Sequence, residues 1–561
     1  MAIGLTSVRT VQLPATTGGW SAGENGGVPL LPDLIATDLE LGAFSDNPPW
    51  VLTGEPLDWQ RQVPRLRDHA RALVPQLTKP SRLPPGVRVL TVAAQGSAAV
   101  VPWIARKKLK RFKDRSASRA DVSRRLRLAV ERLGPTFIKL GQIISSGQGL
   151  FPEELVTEFK RCRDQVPAES FDVVRSVVEG DLGRPLDEVF EWFDRTPLAA
   201  ASIAQVHAAK LRTGEHVVVK VQRPDVERLV LKDLRTLSWL APHLIGRIQV
   251  AALANPPALV ELFAETITEE LDFRIEAQNM LDVAKVLVDL GQRGYVVPRP
   301  HPTLVTKRVL VMERLSGFAF DNVEAIRAAG IDTHAVIRTG MIAFLEGAMI
   351  HGVFHGDLHG GNLFVMPDGR TALLDFGITA RLTQQRRTAF LRLLLGGMSN
   401  DVRSQIKALI DLGALPTDTD IDDVIQELRL DQPTIDPTTL TGEEMVAEVQ
   451  RVVKAMLGYG ARLPKELMLY VKNLVFLDGA IASLAPDLDL IGEVTAISMT
   501  FASKYGNQLA AELGITDGLK VDMTGFKASL GLDSEVTGIT YRELQQRREL
   551  INRRMRNRGR D

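Results

Sequence analysis

The chain has 561 residues, in which 68 Lys+Arg balance 68 Asp+Glu, with 45% apolar and 24% charged residues. This is globular composition: it excludes disordered, collagen-like and disulfide-scaffold classes, and at roughly 100–200 residues per domain the length allows several structural units. Overall neutrality also speaks against a whole-chain nucleic-acid binder, whose footprint is basic, so no nucleic acid is expected among its partners.

Taken in order, the opening MAIGLTSVRT lacks a basic segment followed by an apolar core, so no secretory leader is expected. Residues 1–84 read as an irregular extension punctuated by TTGGW, GENGG and DNPPW, whose Trp20, Trp50 and Trp59 are expected to pack on a neighbour. Residues 85–170 read as a helical extension. It begins with a 17-residue uncharged run, Val89–Ala105, after which 106–127 carries 11 basic residues against Asp114 and Asp121. Gln95, Gly96, Ser97 and Pro102 interrupt that run, and no apolar stretch reaches about 18 residues, so no spanning helix is expected. Two readings stay open: peripheral contact with an anionic membrane surface, or a core segment followed by a solvated helix face. Cys162 is the one cysteine, which excludes an intramolecular disulfide and a multi-cysteine zinc site and fits a reducing compartment. The expectation is a cytoplasmic protein, with peripheral membrane association as the alternative.

Residues 171–315 read as a small mixed α/β unit. HVVVKVQ (216–222) and RVLVMER (308–314) are short β-branched runs with turn signals nearby, and Ala258–Leu290 between them has the pattern of one or two amphipathic helices. Residues 316–490 are mostly helical, interrupted by NLFVMPDGRTALLDFG (362–377), where PDG sits between two apolar runs as in a hairpin. Residues 491–561 read as a helical basic tail. Its last part, 541–561, has eight Arg and three acidic residues and is expected to be a frayed or solvated helix. The fold class is therefore α+β.

The most specific chemical signal is His355-Gly-Asp-Leu-His-Gly-Gly-Asn362, followed by Asp375-Phe-Gly377. Phosphoryl transfer from ATP needs a carboxylate for the attacking hydroxyl and oxygen ligands for the Mg²⁺ that bridges the phosphates. Asp357 with Asn362 five residues on has the kinase catalytic-loop spacing, and Asp375 follows 18 residues after Asp357 with a hairpin between. A competing reading takes His355, Asp357 and His359 as metal ligands of a hydrolase. Lys220, on its strand, is the candidate phosphate lysine, with Glu269, Glu270 or Glu276 as helix partner. No GxGxxG precedes it. Ala199-Ala-Ala-Ser-Ile-Ala-Gln-Val-His207 stands there instead, and no APE triplet follows the DFG, so this is a departure from protein kinases.

Those motifs, joined by Lys139-Leu-Gly-Gln142 in GPTFIKLGQIISSGQGLFPEEL and by Glu270-Leu-Asp272, resemble the UbiB family of atypical kinases, also described as AarF-domain or ABC1-type proteins. The resemblance covers about 125–385, with the motifs in register. It implies a protein kinase-like two-lobed fold with an N-terminal KxGQ extension and a mostly helical second lobe, using ATP and Mg²⁺. Lys220 would contact the phosphates and pair with Glu276, Asp357 would be the catalytic aspartate, and Asn362 and Asp375 would hold the metal. Ala200, Ala201 and Ser202 of the alanine loop, with Met312, Glu313 and Leu315, would line the ATP site. The KxGQ helix would fold over it, its Lys139 engaging the ExD carboxylates Glu270 and Asp272, with Gln142 beside it where a protein substrate would otherwise dock. One departure stands out: Gly356 and Gly360 replace the family's usual Ala and Pro, and Gly360 is expected to soften the loop that aims Asn362. The resemblance thus implies an ATPase or kinase acting on a small-molecule or lipid-related substrate, with a link to quinone or lipid metabolism. Aminoglycoside- or choline-type phosphotransfer and non-catalytic ATP-dependent binding are the alternatives.

Overall fold

The computed structural model describes residues 43–46, 48–52, 56–145, 152–161, 167–244, 256–398, 401–430, 458–461, 464–514, 527, 532 and 535–558. The expectations attached to Trp20 and Cys162 lie outside the described residues. The described strands are β1 (Phe190–Phe193), β2 (Ala199–Ala200), β3 (Ala204–Leu211), β4 (His216–Gln222), β5 (Tyr295–Val296), β6 (Pro300–Val305), β7 (Val309–Glu313), β8 (Phe318–Ala319), β9 (Val353–His355), β10 (Leu363–Val365), β11 (Thr371–Leu373) and β12 (Thr379–Arg381).

The largest sheet runs β1-β3-β4-β7-β6, with β2 paired to β3, and its neighbours are antiparallel. Its centre follows from the valines of β4. Val217, Val219 and Val221 are at most 1% exposed and share an apolar layer with Val309 and Val311 of β7 and with Val174, Val177 and Val178 of the helix Phe171–Leu182. Each such burial contributes about 1.5–3 kcal/mol. The period of two then turns Val218, Lys220, Leu310 and Met312 to the opposite face. That face is covered by Phe273–Asp289, one of the two helices into which 258–290 resolves, the other being Pro256–Glu270. Asp272 caps the covering helix by accepting the Arg274 N–H at 3.1 Å.

Residues before 85 are more ordered than their glycine and proline content suggests. Val63–Thr78 is a helix of 16 residues that buries Val63, Ala70, Val74 and Leu77, so the described part of 1–84 is not an irregular extension. The expected tryptophan contacts are present: Trp50 Nε1 donates to Pro300 O at 3.0 Å and Trp59 Nε1 to Pro302 O at 3.1 Å. The C-terminal expectation also changes. Leu490–Leu513 is packed into the body, with Glu493 bound to Arg338 and Tyr505 to Glu346 at 2.8 Å, so no tail starts at 491. The final helix, Tyr541–Arg558, is anchored at its start by Tyr541 and Leu544, each 1% exposed, rather than frayed there.

Two described helices, Arg88–Lys108 and Lys465–Leu484, are long and apolar enough to cross a membrane by length and composition. They differ in their surroundings. Lys465–Leu484 is held by protein partners, with Lys465 on Glu269 at 2.9 Å and Glu466 on Arg386 at 3.1 Å. Arg88–Lys108 is fixed at its start, where Arg88 binds fully buried Asp233 and Leu133 O, both at 2.6 Å. Beyond that it buries only Val89, Val92 and Ala99, while Leu90, Val101 and nearby Leu109 are 67%, 60% and 63% exposed.

The β6 edge carries a pH-sensitive contact. His301 Nδ1 accepts the N–H groups of Thr303 and Leu304 at 3.1 and 3.0 Å, and its ring lies 4.9 Å from that of Trp50. Burial depresses its pKa to about 4. Below the unfolded value of about 6.5 the unfolded chain binds the proton first, so stability falls as pH drops from about 6.5 to 4. His301→Asn keeps a side-chain acceptor for the same turn without the titration. Urea midpoints measured across that range should decline less steeply for the variant than for the wild type.

Candidate functional site

Lys220 is the meeting point of three chain segments. From the open face of β4 its Nζ donates to Glu276 Oε1 at 2.7 Å and to Asp375 Oδ2 at 3.3 Å, and it lies 5.5 Å from the Phe273 ring centroid. Burial works against the ammonium, but Asp375 and Glu276 outweigh it and hold its pKa above the ordinary lysine value. Glu276 occupies the first turn of Phe273–Asp289, where the helix dipole favours an acid. Of the three candidate glutamates it is the partner, for Glu269 pairs with Lys465 and Glu270 with Lys139.

The HGDLHGGN segment joins β9 to β10, and β10 with β11 forms the expected hairpin ahead of the DFG. β12 returns to pair with β9, setting Thr379 opposite His355. His355 is buried and spends both ring nitrogens: Nδ1 accepts the Asp357 N–H at 3.1 Å, so Nε2 carries the proton and donates to Asp375 O. Burial keeps this imidazole below its ordinary pKa. It is a neutral brace between the two aspartates. His359 Nδ1 likewise accepts the Gly361 N–H at 3.1 Å. The competing reading of His355, Asp357 and His359 as a metal triad is thereby overturned, and among the described residues no group of three or more His, Cys, Asp or Glu is placed to hold a metal.

Asn362 is 8% exposed, its Nδ2 donating to Asp357 O at 3.0 Å. Its N–H donates to His359 O at 2.9 Å and its carbonyl accepts from Leu374 at 3.0 Å. These bonds anchor the loop at Asn362. Asp375 Oδ1 accepts the Gly377 N–H at 2.9 Å. Burial opposes its ionisation, but Lys220 and Lys139 bring the carboxyl down to about 2. Asp357 behaves alike: burial opposes ionisation, and Lys472, Lys139 and His359 hold it well below the carboxylate range.

Lys472 and Asn473 were not among the expected site residues. Lys472 Nζ donates to Asp357 Oδ1, while Asn473, fully buried, donates to His355 O and accepts the Leu358 N–H at 3.2 Å. Both come from Lys465–Leu484, over a hundred residues downstream. The available signal was a Lys-Asn pair inside the otherwise apolar LMLYV–LVFL, where buried polar groups need partners.

Lys139 lies on the helix Pro135–Ser145 and reaches Glu270 Oε2 at 3.1 Å. Gln142 follows one turn on, its carbonyl accepting the Ser145 hydroxyl at 2.7 Å. The second ExD carboxylate corrects the expectation: Asp272 caps Phe273–Asp289 and pairs with Arg274 at 2.7 Å instead of meeting Lys139. The alanine loop is a closed turn. Ala199 and Ala200 pair with Val206 and Gln205, the Ala201 N–H meets Ala204 O at 2.8 Å, and Ser202 is 4% exposed. Arg223 ties the loop down by donating to Ala201 O at 3.0 Å. Met312 shares the Lys220 face of the sheet, and Leu315 lies half-buried just past β7. Glu313 turns the other way, its carboxylate accepting the Ser45 hydroxyl and the Arg299 N–H at 3.2 Å, so its side chain is not part of this face.

The oxygen donors suit a hard cation. Among the described residues Asn362 Oδ1 accepts no hydrogen bond, and Glu270 Oε1 is a buried carboxylate oxygen without a hydrogen-bond partner. With Asp375 they supply amide and carboxylate oxygens of the kind Mg²⁺ takes together with water and substrate phosphates.

Residues 161–409 match the family model described as "ABC1 atypical kinase-like domain". An uncharacterised protein of Mycobacterium tuberculosis is 34% identical over 425 residues, 74% of this chain and 86% of that protein. A Pseudomonas paraeruginosa protein named "Probable protein kinase UbiB" is 32% identical over 400 residues, 70% of this chain and 73% of that protein. A solved Mycobacterium tuberculosis structure, titled as a complex with erythromycin, has 22% identity and a TM-score of 0.37, covering 62% of this chain and 91% of that one.

Gly356 is required by close packing. A Cβ there would stand 2.8 Å from Ile378 Cγ2, 3.0 Å from Leu469 Cδ1 and 3.1 Å from the Ile378 carbonyl. Gly360 has room, its nearest neighbour being Asp321 Cβ at 3.9 Å. Gly356→Ala should therefore cost about 1–3 kcal/mol in denaturant unfolding, the usual range for overpacking, and Gly360→Ala should be near neutral.

Proposed function

Because the chain belongs to the ABC1 (UbiB, AarF) atypical kinase-like family, we propose that it binds ATP with Mg²⁺ between the open face of β4 and the HGDLH loop and cleaves the γ-phosphoryl bond. The acceptor is water or the hydroxyl of a small-molecule or lipid-related substrate. The observation that carries this reading is Lys220 held at once by Glu276 and Asp375, at 2.7 and 3.3 Å, beside the Asp357–Asn362 loop. In this reading 171–315 is the first lobe, 316–490 the second, and 85–170 the extension that covers the site.

Each group has a task that fits its surroundings. Lys220 binds the α- and β-phosphates as a point charge, and the closed alanine turn shields them from one side. Asn362 and Asp375 would hold the Mg²⁺, which would neutralise phosphate charge. Asp357, kept ionised, orients the acceptor hydroxyl. As the bond from the γ-phosphorus to its bridging oxygen breaks, the acceptor oxygen takes the phosphoryl group and releases its proton to Asp357 or solvent. Lys139, on Glu270 at 3.1 Å, stands where a peptide would dock, which favours a small acceptor.

The membrane-surface reading drawn from residues 89–127 rests on one helix and the basic segment after it. The exposed stripe Val87, Leu90, Val101, Ile104 and Leu109 lies beside Arg106, Lys107, Lys108, Lys110, Arg111 and Lys113, an arrangement suited to an anionic bilayer surface.

Two measurements test these assignments. Purified protein should hydrolyse ATP in a Mg²⁺-dependent way, and Asp375→Asn should lower kcat by about 10²-fold or more, as expected when a site loses a transition-state charge contact. Phosphate appearing on an added hydroxyl compound would identify a transferase, and ATP binding without turnover would leave a binding protein and overturn the enzymatic reading. For the surface, the protein should co-sediment with phosphatidylglycerol-containing vesicles and not with pure phosphatidylcholine ones. Leu90→Glu with Val101→Glu should abolish that binding without lowering ATP turnover in solution.

A further inference from the structure

We propose that Lys472 is a positioning residue for this reaction, holding the Asp357 carboxylate in the orientation from which it aims the acceptor; this rests on the function proposed above. Lys472 is built into an unfavourable place. It sits mid-helix in Lys465–Leu484, a helix that buries Leu469, Tyr470 and Leu477, and its side chain is 17% exposed, which a lysine tolerates only with a partner. That partner is Asp357, itself 15% exposed, through Nζ and Oδ1.

The neighbouring residue shows that structure alone does not require the lysine. Asn473 clasps the loop on both sides of Asp357, through His355 O and the Leu358 N–H, and so supplies the backbone anchor. Lys472 touches the carboxylate instead. The division of charges points the same way. Lys220 serves Glu276 and Asp375, and Lys139 serves Glu270, which leaves Lys472 to serve Asp357. Without it, Lys139 would be the next lysine acting on Asp357, and the carboxylate would be drawn toward the KxGQ helix. A carboxylate swung by even about 1 Å loses much of its orienting effect.

The test uses the full chain and compares wild type, Lys472→Met and Lys472→Arg, with thermal melting and ATP affinity measured alongside kinetics. Lys472→Met should lower kcat by about 10²-fold while KM and the dissociation constant for ATP stay within about threefold, because the contact acts on the acceptor side and not on nucleotide binding. Lys472→Arg should recover most of the lost kcat. Lys472→Ala should regain turnover in proportion to added ethylamine, an effect that a purely structural role would not produce. Should the Met variant fail to fold, Lys472→Gln, of similar length but uncharged, carries the same expectation. A folded Lys472→Met or Lys472→Gln with wild-type kcat overturns the inference, as does an equal loss in kcat and ATP affinity. A wild-type chain that neither binds nor turns over ATP overturns the proposed function and this inference together. Turnover by the wild type, matched by the variant, overturns this inference alone.

Discussion

A lysine buried on the face of a β-sheet is the constraint from which the rest of this site follows. Removing an ammonium from water is costly, and Lys220 is retained because two carboxylates from distant segments meet it, Glu276 at 2.7 Å and Asp375 at 3.3 Å. Each requirement propagates outward. β4 must be central enough for its valines to anchor it, Phe273–Asp289 must begin where Glu276 falls in its first turn, and the hairpin β10–β11 must deliver Asp375 to the same point. Loss of either carboxylate would leave Lys220 with one partner in place of two, so the three segments are held to one arrangement.

The same accounting extends across the whole site. Four carboxylates, Asp357, Asp375, Glu270 and Glu276, face three ammonium groups, Lys139, Lys220 and Lys472. His355 adds no charge there, since it is neutral and fully engaged. Among the described residues, Glu270 Oε1 is a buried carboxylate oxygen without a hydrogen-bond partner. Under the proposed function, these carboxylate and amide oxygens would suit a divalent cation better than another organic base. Behind the site a second charged cluster sets the DFG segment. Asn279 Nδ2 holds Phe376 O at 2.9 Å, and its Oδ1 accepts from Arg67 at 2.9 Å and Arg381 at 2.8 Å. Arg67 comes from Val63–Thr78, so the N-terminal helix braces the segment that carries Asp375.

What could be read in the sequence was what is encoded locally. The strand of Lys220 declares itself by three consecutive valines, and HGDLHGGN and DFG keep their geometry within a few residues of one another. The helix of Glu276 was visible from its periodicity, although the choice among Glu269, Glu270 and Glu276 was settled only by which face each occupies. Lys472 and Asn473 escaped notice because their partners lie more than a hundred residues away and no spacing rule links them. Asp272 was assigned to Lys139 by motif, yet its position just before Phe273 makes it a helix cap, and a cap bond to Arg274 competes with any longer reach. Val63–Thr78 was hidden by the glycines and prolines around it, since its apolar positions are spread over 16 residues.

The helix that carries Lys139 is packed into the body of the protein. Pro135–Ser145 inserts Phe137 and Ile143 into the apolar cluster that holds Leu234, Phe263 and Ile267, and its Lys139 neutralises Glu270. Lifting this helix would expose two large side chains, at about 1.5–3 kcal/mol each, and leave Glu270 buried with neither oxygen paired. That cost is comparable to a sizeable share of the roughly 5–15 kcal/mol that stabilises a typical domain, so an open state would be sparsely populated. A peptide acceptor would need such an opening before each turnover, and its binding energy would be spent on displacing the helix. Under the proposed function a small hydroxyl or a water would need none, and Lys139 would then be an added cation beside the phosphates. In that reading the acceptor class is set less by the loop that carries Asp357 than by the helix that carries Lys139.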